Sequence, residues 1–452
     1  MWISLSENIL RELDGIKCSL EERTDFLNNR VRPVVVTYPS RTEEVVKIVN
    51  VAREHGLPIV VWGGGTSLAG HLVCDGCILI DMKFMDKIVE INDTEWYVRV
   101  QPGLILSKLN EELKKIGFFI PPEPASSFAC SVGGVVNNAS GGMRSVRYGT
   151  FRDWVLALEV VLPSGKVIRV GEPFVKNRAG YDLVHLFVGS EGTLGIVTEI
   201  WFKIIPVPEE VKYSIMMELS DFRQGTEIIR ELRKNRVVID VAEYMDGLVA
   251  KTINKHFNTN IPESVGGTIT LSSSSTYREK IEKILRQHSV TFTEVDEDKT
   301  LSERALAGLA LKAEWNERVS EDIVVPLSKL DEAFMKIKEL EEKSGVKIAI
   351  LGHIADGNLH PNILISSRDD PRLTKIYDEI GRIAIILGGS ISGEHGIGYM
   401  KADLMKEQLT AHNGIEVLKI MNDIKGCIDP HHFMNPGKFV ELAWSRYLIN
   451  KD

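Results

Sequence analysis

At 452 residues the chain exceeds what a single core of ordinary size organises, so two or more domains are expected. A hydrophobic fraction of 44% beside 26% charged residues describes a soluble globular chain. A formal charge of −9, with no Lys/Arg-rich run interleaved with aromatics, excludes a nucleic-acid-binding face. The amphipathic start MWISLSENILRELDG carries acids where a signal peptide needs basic residues, and no apolar run approaches the roughly 20 residues that span a bilayer. A cytoplasmic protein is expected, with a peripheral contact at the inner membrane face left open. The cysteines are few, odd in number and scattered, which suits a reducing compartment; Cys74 and Cys77 form a CxxC that reads as a surface loop.

In chain order, Val34 to Val36 are β-prone, and Pro39-Ser40 introduces a helix in which Ser40 and Glu43 have capping-box spacing. Val45, Val46, Val49 and Ala52 give that helix an apolar face; Gly56 ends it and Pro58 prevents continuation. A buried strand over 59–61 runs into Gly63-Gly64-Gly65-Thr66-Ser67. Glycines permit positive φ and close approach, and backbone N–H groups with two hydroxyls can donate to a pyrophosphate. The stretch is neither GxGxxG nor a P-loop, and alone it competes with an ordinary turn. A helix over 104–117 follows, then the breaker Pro121-Pro122-Glu123-Pro124 and the small-residue run SVGGVVNNASGG over 131–142. Strands over 155–161 and 167–170 flank a Pro163-Ser164-Gly165 turn, and GSEGTLGIVT over 189–198 leads into another strand. Three glycine-rich loops in one strand-rich region make a long phosphate-bearing ligand the leading reading.

Residues 209–345 alternate strands (212–217, 322–325) with helices (222–234, 277–288, 329–343), and a further helix over 371–387 is capped by Gly388. Between them lies GHIADGNLHPN. An Asp-Gly pair between β-prone runs is a hairpin signal. With Asp356-Gly357 as a two-residue loop, residue 353 pairs with 360, so His353 and His360 stand opposite each other with β-carbons about 4.5–5.5 Å apart. Asn362 shares their face. SGEHGIG over 392–398 offers Glu394 as a third ligand, and two imidazoles with one carboxylate leave open positions, a catalytic metal arrangement suited to zinc, manganese or iron(II). For either histidine alone, a hydrogen-bonded turn residue is the simpler reading.

Together, VVWGGGTSLAG, Pro122 to Ser126, GGVVNNASGG with Arg147-Tyr148-Gly149-Thr150, Gly180-Tyr181-Asp182-Leu183 and GSEGTLGIVTEI resemble the FAD-binding domain of the vanillyl-alcohol oxidase (p-cresol methylhydroxylase) type of flavoprotein. GHIADGNLHPN, SGEHGIG and Asp429-Pro430 with Met434-Asn435-Pro436-Gly437-Lys438 resemble the C-terminal half of its D-lactate, D-2-hydroxyglutarate and glycolate dehydrogenase branch. The resemblance implies an α+β fold with a FAD-binding domain over 1–208, an α/β substrate cap with an antiparallel sheet over 209–412, and a C-terminal segment over 413–452 that returns to the FAD domain. It implies FAD contacts from Gly63, Gly64, Gly65, Thr66, Ser67, Pro122, Ser131, Gly133, Gly134, Asn138, Gly141, Tyr148, Glu191, Gly192, Ile196, Val197 and Asn435. Trp62 stands where the family usually has an arginine. Thr66 stands where some relatives have a histidine bonded to FAD, so non-covalent FAD is expected.

A flavin oxidising a 2-hydroxy acid needs a cation for the carboxylate, a base for the hydroxyl proton and C2 presented to flavin N5. A metal on His353, His360 and Glu394 can bind the hydroxyl and one carboxylate oxygen, His395 is the candidate base, and Asn362 can donate to substrate oxygens. Arg304 lies at the spacing before Asp322 where relatives carry a substrate arginine, with Lys312 as the alternative. The electron acceptor is expected to be a quinone, a cytochrome, an electron-transfer flavoprotein or an iron–sulfur subunit, and a homodimer is compatible with the sequence. Competing readings are an alkyl-glycerone-phosphate synthase type of flavoenzyme and a flavin electron-relay subunit of a glycolate oxidase-type complex.

Overall fold

The computed structural model describes residues 2–449 and contains two compact units. One is Met1–Gly141 with Thr150–Val207 and Glu394–Asp452; the other is Gly142–Gly149 with Pro208–Gly393. The chain thus returns to the first unit at Glu394, ahead of the expected point at 413. The short segment 142–149 also departs from expectation by clustering with the second unit. Its cause is electrostatic: Arg147 pairs with Asp240 at 2.6 Å and Glu210 at 2.7 Å, which ties Tyr148 and its neighbours to the strand Ile239–Met245.

In the first unit, Val35–Tyr38, Ile78–Asp81 and Ile59–Trp62 run parallel, with Lys17–Ser19 added antiparallel. Val35–Tyr38 and Ile78–Asp81 are buried at every position, the pattern of parallel strands covered on both faces. Helix Thr42–Glu54 packs Val45, Ile48, Val49 and Ala52 into this core. Its capping contact is displaced by one residue from the expected box, because the helix begins at Thr42: Glu44 accepts from the Ser40 N–H (2.8 Å) and hydroxyl (3.1 Å). A five-stranded antiparallel sheet in the order Val167–Gly171, Val155–Val161, Ile196–Lys203, Tyr97–Val100, Ile88–Asn92 completes the unit, and its first pair is the hairpin read at Gly165. Cys74 and Cys77 are joined as a disulfide, and Cys77 is buried among Val31, Val36, Val60 and Leu79, which corrects the reading of this pair as a surface loop.

The second unit is an eight-stranded antiparallel sheet. Its order is Thr291–Glu294, Lys212–Glu218, Thr268–Ser274, Ile239–Met245, Ile348–His353, Asn358–Ile365, Glu317–Ser320, with Ile323–Val324 also paired to Asn358–Ile365. Helices Phe222–Lys234, Arg278–Gln287, Leu330–Ser344 and Leu373–Ile386 lie within about three residues of their expected bounds. Among the described residues no helix is long and apolar enough to cross a membrane.

Candidate active site

The glycine loop of the first unit is a place where backbones touch. A β-carbon added at Gly64 would lie 2.2 Å from the Ala129 carbonyl oxygen and 2.9 Å from Cys130 Cα, and one at Gly63 would lie 2.3 Å from Ser131 Oγ. The run from 131 is a short helix, Val132–Asn137, whose N-cap Ser131 accepts from the Gly134 N–H at 3.2 Å; Gly133 lies against Pro102, leaving no room for a side chain. Gly65 is left-handed (φ +71) beside the Trp62 ring, and the Arg23 guanidinium lies 5.2 Å from that ring's centre. The Trp62 ring is thus approached by a cation from elsewhere in the chain. Gly192 is also left-handed, and Ile196 and Val197 open a buried strand.

Glu191 organises the remaining loops. Its carboxylate accepts from the N–H groups of Ile397 (2.7 Å) and Gly398 (2.8 Å) and pairs with His71 Nε2 at 3.0 Å. Burial pushes the carboxyl up, but the His71 partner and the two N–H donors outweigh it and hold it below the ordinary carboxylate range. The Gly396 backbone runs so close that a β-carbon there would meet Asn138 Oδ1 at 2.4 Å and Glu191 Oε1 at 2.9 Å, while Asn138 Nδ2 donates to the Glu394 carbonyl at 2.6 Å. Asn435 Nδ2 donates to the Glu191 carbonyl at 2.8 Å, and both residues adopt positive φ, 45° and 54°. Buried Lys425 links the same loops: it donates to Thr193 O (2.8 Å), Met434 O (3.0 Å) and Asp429 Oδ2 (2.5 Å). Met434 bridges Ile59 in parallel, so the Asp429–Lys438 turn lies at the edge of the strand that delivers the glycine loop.

Pro122 and Gly141 are buried in this unit, whereas Tyr148 belongs to the segment held by the second. The buried Oδ1 atoms of Asn137, Asn138 and Asn435 accept no hydrogen bond from the described residues. Buried acceptors of this kind need donors. Together with a cradle that a β-carbon would fill, they fit a ligand that brings N–H groups and a pyrophosphate, as FAD does.

In the second unit the two histidines lie on one hairpin, in a register different from that expected. His353 pairs with Asn358 and His360 with Leu351, because the loop is four residues, Ile354 to Gly357, and not two. Ile354 and Ala355 are buried, and the Ile354 N–H donates to the Ala242 carbonyl at 3.1 Å, so they leave the ladder to fill the core; Gly357 (φ +87) closes the turn. A slip of two residues preserves the face. The rings are therefore still neighbours, diagonal and not opposite, with centroids 5.0 Å apart and planes at 83°.

Each imidazole has one nitrogen facing a buried carboxylate. His353 Nδ1 meets Glu243 Oε1 at 2.5 Å, and His360 Nδ1 lies 3.7 Å from Asp322 Oδ1. Asp322 also accepts from Asn358 Nδ2 (2.8 Å), Ser392 Oγ (2.9 Å) and the Gly393 N–H (2.8 Å). The Glu243 carboxylate fixes the His353 ring and raises its basicity, the usual support of a metal-binding histidine, while Asp322 stands near His360 beyond hydrogen-bond distance. Gly393 is the last residue of this unit, and Glu394 and His395 follow it directly in the chain.

Arg304 is buried on helix Glu297–Ala305 and pairs with Glu243 Oε2 at 2.6 Å, so its charge is matched inside the protein; Lys312 is exposed. Three residues escaped the sequence reading, one in the first unit and two in the second. Glu243, His71 and Arg318 lie in no motif, and the sequence assigns them no role. Arg318 Nη1 donates to Asn362 Oδ1 at 2.5 Å, and Asn362 Nδ2 donates to the His360 carbonyl at 2.8 Å. Burial pushes the Arg318 guanidinium down to about 10.

Residues 33–171 match the FAD binding domain family, and residues 208–439 match the C-terminal domain of FAD linked oxidases. The glycolate oxidase subunit GlcD of Bacillus subtilis (strain 168) is 33% identical over 435 residues, 93% of this chain and 92% of that protein. A D-lactate dehydrogenase of Anaerostipes hadrus is 32% identical, covering 90% of each. The solved structure of p-cresol methylhydroxylase with substrate bound superposes with a TM-score of 0.76 at 17% identity, over 97% of this chain and 96% of that one, a likeness of fold.

Proposed function

Because the chain belongs to the FAD-linked oxidases of the D-lactate dehydrogenase and glycolate oxidase group, we propose that it oxidises a D-2-hydroxy acid to the 2-oxo acid and delivers the electrons to an acceptor other than NAD. The observation that supports this reading best is the pair of imidazoles at 5.0 Å, each backed by a carboxylate, on a sheet face that also carries Asn362 and Arg318. Such a face is built to receive a compact anion with a neighbouring oxygen.

FAD held by the glycine loop, Ser131, Asn138, Glu191 and Asn435 would supply the two-electron sink that takes the C2 hydrogen as hydride. His353, His360 and Glu394 would hold a divalent ion, zinc, manganese or iron(II), which would supply Lewis-acid polarisation of the substrate hydroxyl. Glu243 keeps the His353 proton on Nδ1, leaving Nε2 as the ligand atom. His395 takes the hydroxyl proton on an imidazole nitrogen as the C2–H bond breaks, so that C2 loses a hydride and its oxygen a proton. Asn362 keeps one amide hydrogen for a substrate oxygen, since the other is committed to the His360 carbonyl.

An anaerobic screen of D- and L-2-hydroxy acids against the yellow protein, followed by flavin absorbance, tests this. Bleaching by at least one D-acid and not by its L-enantiomer is expected. No bleaching by any acid would favour a synthase that carries out no net oxidation, and bleaching only in the presence of a partner protein would favour an electron relay.

A further inference from the structure

We propose that Arg318, and not Arg304, receives the carboxylate of the substrate, an inference that rests on the functional reading above. The two arginines differ in what already faces them. Arg304 lies against Glu243 at 2.6 Å, and the same carboxylate holds His353. Diverting Arg304 to a ligand would strip a buried acid of its cation. Arg318 has no carboxylate of the described residues within ion-pair distance; its hydrogen bond goes to a neutral amide oxygen, Asn362 Oδ1.

Strand register aims it at the histidines' face. Ser320 pairs with Asn362 and Arg318 with Leu364, and directly paired residues share a side, so Arg318, Asn362 and His360 project together. The plane of the guanidinium is set by a glycine. A β-carbon at Gly308, on helix Ala307–Trp315, would lie 2.7 Å from Arg318 Nη2, 3.0 Å from Cζ and 3.4 Å from Nε, so the cation lies flat against bare backbone. The same helix contributes Ala307, Ala310 and Leu311 to an apolar cluster with Ala349 and Leu364, and Leu364 is the strand partner of Arg318. Arg318 sits deep among protein atoms without being fully buried as a residue. A planar, permanently charged fork in apolar surroundings, answered by one neutral acceptor, is costly until an anion arrives. A carboxylate is the anion whose two oxygens match it.

The test compares the best 2-hydroxy acid of the screen with its primary amide, in the flavin-loaded protein and in Arg318→Met, Arg318→Lys and Arg304→Met. In Arg318→Met the kcat/KM ratio of acid over amide should fall by about 10²-fold, most of it in KM, with flavin content and reduction by dithionite unchanged. A merely structural arginine would depress acid and amide alike and leave the ratio standing. An unchanged ratio in Arg318→Met, or collapse of the ratio in Arg304→Met alone, overturns the proposal. Should Arg318→Met fail to fold, Arg318→Lys decides: a raised KM for the acid beside an unchanged one for the amide supports the role, and unchanged values for both overturn it. If no 2-hydroxy acid reduces the flavin of the unmodified protein, it is the functional reading that has failed, a result separable from any change of ratio.

Discussion

Glu243 and His353 face each other across paired strands, Oε1 to Nδ1 at 2.5 Å, and this contact orients the imidazole that the proposed metal would use. Glu243→Gln should therefore weaken metal binding by roughly 10–100-fold, the usual cost of losing an outer carboxylate. It should also destabilise the fold by about 3–5 kcal/mol, because Arg304 would remain buried without its partner. Chelator competition reads the first effect and denaturant titration the second. Metal affinity equal to that of the unmodified protein would make the His353 contact purely structural.

Gly64→Ala should already impair flavin binding, and Gly64→Val should give apo-protein. The added β-carbon would lie 2.2 Å from the Ala129 carbonyl oxygen, so the two backbones forming the cradle must part. The ratio of visible to ultraviolet absorbance in the purified variants checks this, and full flavin content in both would place the cradle elsewhere. In the unmodified protein, acid precipitation should leave the flavin in the supernatant, since Thr66 offers no covalent link.

Glu394→Ala and His395→Ala should separate cleanly. The first should lose metal and recover part of its activity when metal is added. The second should keep metal and FAD yet lose flavin reduction by about 10²–10⁴-fold, the usual contribution of a general base. Metal analysis with stopped-flow reduction distinguishes them; the reverse pattern would exchange the two roles.

A pH-dependent contribution to stability is expected at Glu297. Burial pushes its carboxyl up, but Arg144, the Ser272 hydroxyl and Lys212 Nζ at 2.9 Å outweigh it and bring it down to about 2. A depressed carboxyl stabilises the fold above its unfolded value of about 4.3 and loses that contribution as pH falls through its folded value. Glu297→Gln should thus be less stable than the unmodified protein by roughly 2 kcal/mol near pH 7, with the difference fading between about pH 4.5 and pH 2. Urea midpoints measured across that range check it; a constant difference would show that the group contributes by shape alone.

Much of this was legible because it is local. Glycine runs, helix faces and the hairpin at Gly165 follow from spacing of three to seven residues, and the hairpin histidines share a face under either register because side chains alternate with period two. What could not be read depends on partners far apart in sequence. Glu243 stands 110 residues from His353, and Arg318 stands 44 from Asn362. A buried acid and a surface acid look alike in a strand. The four-residue loop at Ile354 was hidden for a similar reason: the Asp356-Gly357 signal is strong locally, and it is the core under Ile354 and Ala355 that overrides it.

The chain passes from one unit to the other four times, at 141, 149, 207 and 393. During synthesis, the strand Ile59–Trp62 is therefore made long before Met434, which later lies beside Ile59. Until some 370 further residues have emerged, this edge strand lacks even the partners that later cover it at Ile59, and can pair with an extended segment nearby. The nascent protein thus carries an exposed β-edge from the synthesis of Trp62 to that of Met434, and a ribosome that stalls between them releases a chain with its cofactor unit unfinished. Removal of the last residues should accordingly produce insoluble material and not a smaller, flavin-free monomer.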